Sequence, residues 1–216
     1  MRTYIPRGAL KNWVLFAIAL VVALYFYPSL PNQIATHFNF DGQVDEYGSK
    51  SYIFLAPAII LGMNLLGEVI KRIDPKHSNY QRFEPTYYWL FFLIGCLMLI
   101  TQVMTILVAN NIDVEVNKIM LASIAILFIG LGNIMPKIKH NFSTGIKTPW
   151  TIADERVWYL THRLGGKCMI GGGLVFLLGL LLPQTWLGYL FAVAMIIAVG
   201  IPTVASYFYF QRLQNK

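Results

Sequence analysis

The chain has 216 residues, 56% of them hydrophobic and 12% charged, with a mean hydropathy of +0.57. A soluble domain carries about 25% charged residues, so half of the expected polar coat is missing and an ordinary soluble globule is excluded. The net charge of +7 reads as membrane topology plus attraction to anionic lipid, and direct nucleic-acid binding is not expected.

Crossing a hydrocarbon core takes roughly 20 mostly apolar residues in a helix. Six stretches qualify: residues 12–30, 51–70, 85–110, 118–135, 165–182 and 185–211. The first follows Arg2, Arg7 and Lys11 and runs into Tyr25-Phe26-Tyr27-Pro28 without a small-x-small cleavage site, so it reads as a retained signal anchor. In the loop that follows, Ile34, Thr36, Phe38 and Phe40 alternate with Ala35, His37 and Asn39, and Asp41-Gly42 is a turn dipeptide. This pattern predicts a small β-hairpin. Asp41, Asp45 and Glu46 read as solvated turn residues rather than a calcium site.

Near the end of the second span, Glu68 stands one turn after Asn64 and one turn before Arg72. It is either a proton or ligand site, as intramembrane carboxylates often are, or half of an i,i+4 ion pair with Arg72; the ion pair is the preferred reading. Asn64, Gln102 and Asn133, amides within or near the ends of spans, are expected to make interhelical hydrogen bonds, and the glycines around Gly171-Gly172-Gly173 to allow close helix packing. Cys96 and Cys168 lack any metal-ligand spacing and read as small apolar fillers.

In the loop of residues 136–167, Thr151 is expected to cap a helix with Asp154 at the reciprocal position of a capping box. Ala153, Val157, Leu160 and Leu164 recur at helical spacing, and Trp150 and Trp158 add aromatic rings, which predicts an amphipathic interfacial helix before the fifth span. The uncharged run 168–211 is too long for one span and divides at Leu182-Pro183-Gln184-Thr185. Tyr207-Phe208-Tyr209-Phe210 then forms an aromatic girdle closed by Arg212.

Of the 17 Lys and Arg residues, only Lys50 and Lys118 fall on one side of this layout. Lys and Arg are retained on the cytoplasmic side of short loops, so both termini are placed in the cytoplasm and the hairpin outside. The expected fold is an all-α polytopic protein of the bacterial cytoplasmic membrane, with six transmembrane helices, a small extracellular β-hairpin-like loop and an amphipathic cytoplasmic interfacial helix. His37, His77, His140 and His162 share no ligand spacing, and no zincin, nucleophile-elbow or phosphate-loop motif occurs. No metal, cofactor or enzymatic activity is expected.

Two stretches carry a resemblance. Gly132-Asn133-Ile134-Met135-Pro136-Lys137-Ile138-Lys139-His140-Asn141, then Gly145-Ile146-Lys147-Thr148-Pro149-Trp150-Thr151, Val157-Trp158 and Thr161-His162-Arg163, resemble the signature of the SdpI family, bacterial membrane proteins of toxin immunity. Leu30-Pro31-Asn32-Gln33-Ile34-Ala35-Thr36-His37-Phe38-Asn39, with Gly42, Asp45 and Lys50, resembles the DUF1648 segment that often precedes it. The motifs cover roughly residues 28–52 and 130–182. Lys147 departs from the Arg usual before Thr-Pro-Trp, keeping the charge without the bidentate fork.

The resemblance implies immunity against a secreted membrane-active peptide toxin of the sporulation-delaying type, and a second role as a sensor that holds an ArsR-type autorepressor at the membrane. Toxin contact is then expected at Pro31, His37, Asn39, Gly42 and Asp45, and repressor contact at Asn141, Lys147, Thr148, Pro149, Trp150, Trp158, His162 and Arg163. Three regions follow: residues 1–72 with the first two spans and the outer loop, 73–117 with a cytoplasmic loop and the third span, and 118–216 with the SdpI-like part. The alternatives are a small transporter or exporter, or a regulatory subunit of a membrane complex.

Overall fold

In the computed structural model, residues 7–39 and 42–215 are described. The expectations resting on Arg2, Phe40, Asp41 and Lys216 lie outside the described residues, as does the side chain of Arg7. Helix α1 spans Arg7–Phe26, and a hairpin of β1 (Gln33–Phe38) and β2 (Val44–Ser49) follows. A 3-10 turn, Lys50–Phe54, leads into α2 (Leu55–Ile73), and a second, His77–Arg82, joins α2 to α3 (Glu84–Ala109). Then come α4 (Val116–Ile134), the short α5 (Pro149–Ala153) and α6 (Glu155–Gly179). Helix α7 (Leu187–Met195) continues through a π-helical segment, Ile196–Gly200, into α8 (Ile201–Gln214).

Among the described residues, five helical segments are long and apolar enough to cross a membrane: Gly8–Phe26, Lys50–Ile73, Glu84–Ala109, Val116–Lys137 and Gln184–Gln214. With their composition they make this a multi-pass membrane protein. The surface is apolar: Val21, Leu66, Ile126, Ile196 and Val204 are each about 60% exposed, while the amides Asn12, Asn64 and Gln102 are buried inside. That inversion of the soluble pattern is what a lipid solvent selects, because only internal partners can satisfy polar groups there.

The remaining expected span and the expected interfacial helix are one continuous element. Helix α6 carries Glu155, Arg156, Arg163 and Lys167 in its first half, and its uncharged part after Lys167 is about 18 Å long at 1.5 Å per residue, against a hydrocarbon core of about 30 Å. Helix α6 nevertheless runs back alongside α4: Gly166 lies against Gly132, Gly173 against Ala125 and Ile129, and Gly179 against Leu121. A Cβ on either Gly132 or Gly166 would lie 2.6 Å from the other's carbonyl oxygen, so these helices touch backbone to backbone.

Helix caps also differ from expectation. Thr148, not Thr151, is the N-cap of α5, with Thr151 completing the reciprocal pair. Asp154 is not its partner but the N-cap of α6, accepting from the backbone N–H of Arg156 and Val157. The physical reason is Pro149, whose missing N–H suits the first helical position and pulls the start three residues forward; Asp154 then breaks and restarts the chain in extended geometry.

Two groups of helices result. Helices α1, α2 and α3 pack around Leu15, Ala19 and Ile60, and α4, α6 and α7 around Ala125, Phe176 and Ala194. The hairpin lies at one end, packed through Ile34 on Ala23, Ile53 and Ile106. The 136–148 loop lies at the other, where its Ile138 and Trp158 of α6 pack on Tyr80, Phe83 and Tyr87.

Candidate functional site: a cleft beneath the hairpin and a polar knot under the opposite loop

At the hairpin end, β1 and β2 pair antiparallel with irregular register between Ala35 and Phe38. Ile34 and Ala35 are both buried although neighbours in a strand point to opposite faces, so both faces of β1 are covered at that point. Of the residues expected to meet toxin, Pro31 is exposed at the hairpin base. His37 Nδ1 lies 2.6 Å from Asp45 Oδ1 across the strands, and Asn39 Oδ1 accepts from Gln43 N at 2.9 Å. Gly42 has φ +78 and abuts the backbone of Asn117 at the start of α4. His37, Asp45 and Asn39 brace the hairpin, and Gly42 seats it on the start of α4.

Beneath it are two cavities. The larger, about 440 Å³, lies between β1 and the ends of α3, α4, α6 and α7, with Met120, Ile124, Phe176 and Phe191 among its walls. The smaller, about 230 Å³, lies between β1, α2 and α3, lined by Ile59, Met98 and Gln102. Thr36, Thr101 and Thr105 line both, so the two form one cleft divided by a threonine waist. Gln102 Nε2 donates to Ala19 O at 3.0 Å and Ile53 O at 3.2 Å, tying α1 and the 3-10 turn to α3. Its Oε1 is buried with no hydrogen-bond partner among the described residues.

Deeper in the first bundle, Asn64 Nδ2 donates to Asn12 O and Asn12 Nδ2 to Tyr88 O, so Asn64 and Gln102 do serve as interhelical links. Asn133 does not: it is exposed and enters no hydrogen bond among the described residues. Glu68 pairs with Lys71 at 3.3 Å rather than with Arg72 and accepts from Tyr88 Oη at 2.6 Å. Lys71 also reaches Glu84 at 3.0 Å. Arg72 is exposed; the i,i+3 Lys wins because Glu84 and Tyr88 on α3 hold it in place.

At the opposite end a polar knot fixes the loop. Buried Asp74 at the end of α2 accepts from Lys76 N, Phe142 N, Ser143 Oγ and Tyr80 Oη, all within 3.0 Å. Burial alone would raise its pKa, but these four donors outweigh it and hold the carboxyl below its usual range. Asn141, fully buried, accepts from Ser143 N and Thr144 N and donates to Lys139 O and Thr144 O. Trp158 Nε1 donates to Ile138 O, and its indole stacks on His162 with centroids 4.0 Å apart and lies 5.0 Å from His140.

His162 Nδ1 faces Trp158 O at 2.8 Å and Nε2 accepts from Ile146 N at 3.0 Å. That arrangement requires the neutral ring, and burial lowers its pKa to about 4. His140 Nδ1 accepts from Lys76 Nζ at 2.6 Å; burial first, and then the Lys76 charge, lower its pKa as well.

The expected partner-binding residues therefore separate. Asn141, Thr148, Trp158 and His162 are buried and hold the loop's shape; Thr148 also bonds Ser206 on α8 at 3.0 Å. Trp150 is half-buried against Tyr207. Lys147, Pro149 and Arg163 are exposed and form the accessible face. Sequence reasoning missed Asp74, Tyr80 and Asn12. Asp74 had one signal, being one of two acids, with Glu84, in the strongly basic stretch 71–84 between two spans. Among the described residues no three His, Cys, Asp or Glu side chains gather to hold a metal.

The chain matches the family "Domain of unknown function (DUF1648)" over residues 14–61 and the "SdpI/YfhL protein family" over residues 137–206. It is 23% identical over 203 residues to the Immunity protein SdpI of Bacillus subtilis (strain 168), covering 94% of this chain and 96% of that one. No solved structure matches it. The first match takes in the hairpin and the second the loop with α6, so the two ends built up above are the parts of the chain that resemble the DUF1648 segment and the SdpI/YfhL protein family, and the likeness to the Bacillus immunity protein runs over nearly the whole chain.

Proposed function

We propose that this chain protects the cell that makes it from a secreted, membrane-active peptide toxin, by taking an apolar segment of the peptide into the cleft beneath the hairpin. The observation that carries this is the cleft itself: two apolar chambers joined at Thr36, Thr101 and Thr105, with one buried acceptor, Gln102 Oε1, left open. Ligand sites of this kind pair mostly apolar walls with a few polar groups that fix orientation. A peptide N–H entering the smaller chamber gives Gln102 Oε1 the partner it lacks. The immunity role of the Bacillus relative supports the same reading. In the arrangement that the positive charges favour, the hairpin faces outward and both termini and the 136–167 loop face the cytoplasm.

The test is a challenge of toxin-sensitive cells with purified sporulation-delaying-type peptide, with and without this gene. Protected growth is expected with the wild type and its loss with Thr105→Phe, which blocks the waist, at unchanged membrane abundance. Equal killing with and without the gene overturns immunity; full protection by Thr105→Phe overturns the cleft.

A signalling role rests on the exposed Lys147 and Arg163, which present positive charge on a loop held rigid from below. The proposed partner is an ArsR-type repressor, drawn to this face when toxin favours one arrangement of the bundle over another. Imaging a tagged repressor tests it. Recruitment is expected with the wild type and its loss with Lys147→Ala/Arg163→Ala.

A further inference from the structure

A third cavity, about 530 Å³, opens between α3 and α4 at the loop end, lined by Pro85, Thr86, Trp89, Leu93, Gly130, Asn133, Ile134 and Lys137. Its depth is set by Gly130, where an added Cβ would lie 2.9 Å from Leu93 Cδ1, so the two helices close there and splay toward the end. Along α4 and the 3-10 turn Met135–Lys137 that follows it, the wall changes in steps of about one turn, roughly 5.4 Å in the α-helix: Gly130 at the floor, then Asn133, then Lys137. Asn133, one turn inside the end of the apolar segment Val116–Lys137, is exposed with no hydrogen-bond partner among the described residues, and an amide facing lipid there favours a ligand that supplies one. Lys137 is exposed and enters no ion pair among the described residues. A second cation stands behind the far wall, with Lys11 Nζ 3.4 Å from the centroid of the Trp89 ring. The nearest acid in sequence, Glu84, is held by Lys71.

We propose that this cleft binds one anionic phospholipid, its phosphate at Lys137, its glycerol ester oxygens at Asn133 and Thr86, and the start of an acyl chain against Leu93, Ile134 and Gly130. Charge complementarity selects the occupant: Lys137 at the mouth with no acid among the lining residues and a second cation behind the Trp89 wall, polar groups one level in and apolar walls below, the order in which a phospholipid presents phosphate, ester and chain. Basic pockets between helices at a membrane face bind anionic head groups in this way. The site accounts for Asn133, which the protein leaves unpaired, and it is independent of the toxin cleft at the other end.

The test is native mass spectrometry of the full chain extracted from vesicles of equal phosphatidylglycerol and phosphatidylcholine. Wild type is expected to retain phosphatidylglycerol about fivefold or more over phosphatidylcholine, the factor that about one lysine near the surface supplies. Lys137→Gln should remove the preference. Asn133→Leu, an apolar change at an exposed site that leaves folding intact, should lower retention of both lipids. Arg212→Gln, a cation elsewhere on the same end of the molecule, should leave retention unchanged. Equal retention of the two lipids by the wild type overturns the proposal. So does a Lys137→Gln protein that behaves as wild type, or an Arg212→Gln protein that loses as much. A cleft filled by a second copy, seen as a dimer that Asn133→Leu dissociates, also overturns it.

Discussion

Asp74 gathers four donors from two separate stretches of chain, and a side chain so used has a steep cost of removal. Asp74→Asn turns one acceptor into a donor facing donors and is expected to cost about 2 kcal/mol, read as a lowered thermal midpoint in detergent. His162 gives a pH dependence whose sign follows from its burial. The unfolded chain takes up its proton near pH 6.5, the folded ring only near 4, so the unfolded state binds more protons in between. Stability is therefore full above pH 6.5 and falls as the pH drops toward 4. His140, also shifted downward, adds to the same slope, so His162→Gln should reduce it without abolishing it. Gly145 has φ +120, and a Cβ there would run into His162 Nε2. Gly145→Ala is expected to cost about 1–3 kcal/mol of backbone strain and to break the Ile146 N to His162 bond, measured by the same thermal scan.

Helix α6 joins what the hydropathy of the sequence separates. Its first half is charged and held by the Asp154 cap and by Trp158; its second half packs into the bundle through glycine. Between α4 and α6 the backbones meet at Gly132 and Gly166, and in lipid such close approach supplies the association energy that the hydrophobic effect provides in water. Gly166→Leu should force the pair apart and send most of the protein into aggregates on detergent extraction, whereas Gly188→Leu, at a position with open space around it, should leave extraction unchanged. Size-exclusion profiles of the two variants check this.

Across the whole molecule, the two helix groups meet along α3 and α4, where Gly130 lies on Leu93, and are bridged at the ends. Gly42 rests on Asn117 at one end, and Asp74 and Tyr80 bond the 141–143 segment at the other. Cavities of about 440 and 530 Å³ lie along that seam. A seam bridged mainly at its ends lets each end loosen separately. Hydrogen exchange on Asp74→Asn should show faster exchange at Phe142, Ser143 and Thr144 with the hairpin amides unchanged. Equal acceleration at both ends would instead mark the bundle as one cooperative unit.

The sequence by itself determined the membrane-crossing character, the approximate positions of five of the six expected spans and the hairpin, because these depend on local composition and on period: long apolar runs, alternation in residues 34–39, and a clustering of Lys and Arg. The resemblance carried by the Thr-Pro-Trp-Thr and Val-Trp stretches also lay in local order. Only the tertiary structure decided the rest. It gave Glu68 to Lys71 rather than Arg72, since the choice rests on Glu84 and Tyr88 of another helix. It fused the expected interfacial helix with the fifth apolar stretch, which depends on packing against α4. It turned Asn141, Trp158 and His162 inward as supports and left Lys147 and Arg163 outside. Pairing partners and cavities arise where segments distant in sequence meet, and no local pattern encodes which segments those will be.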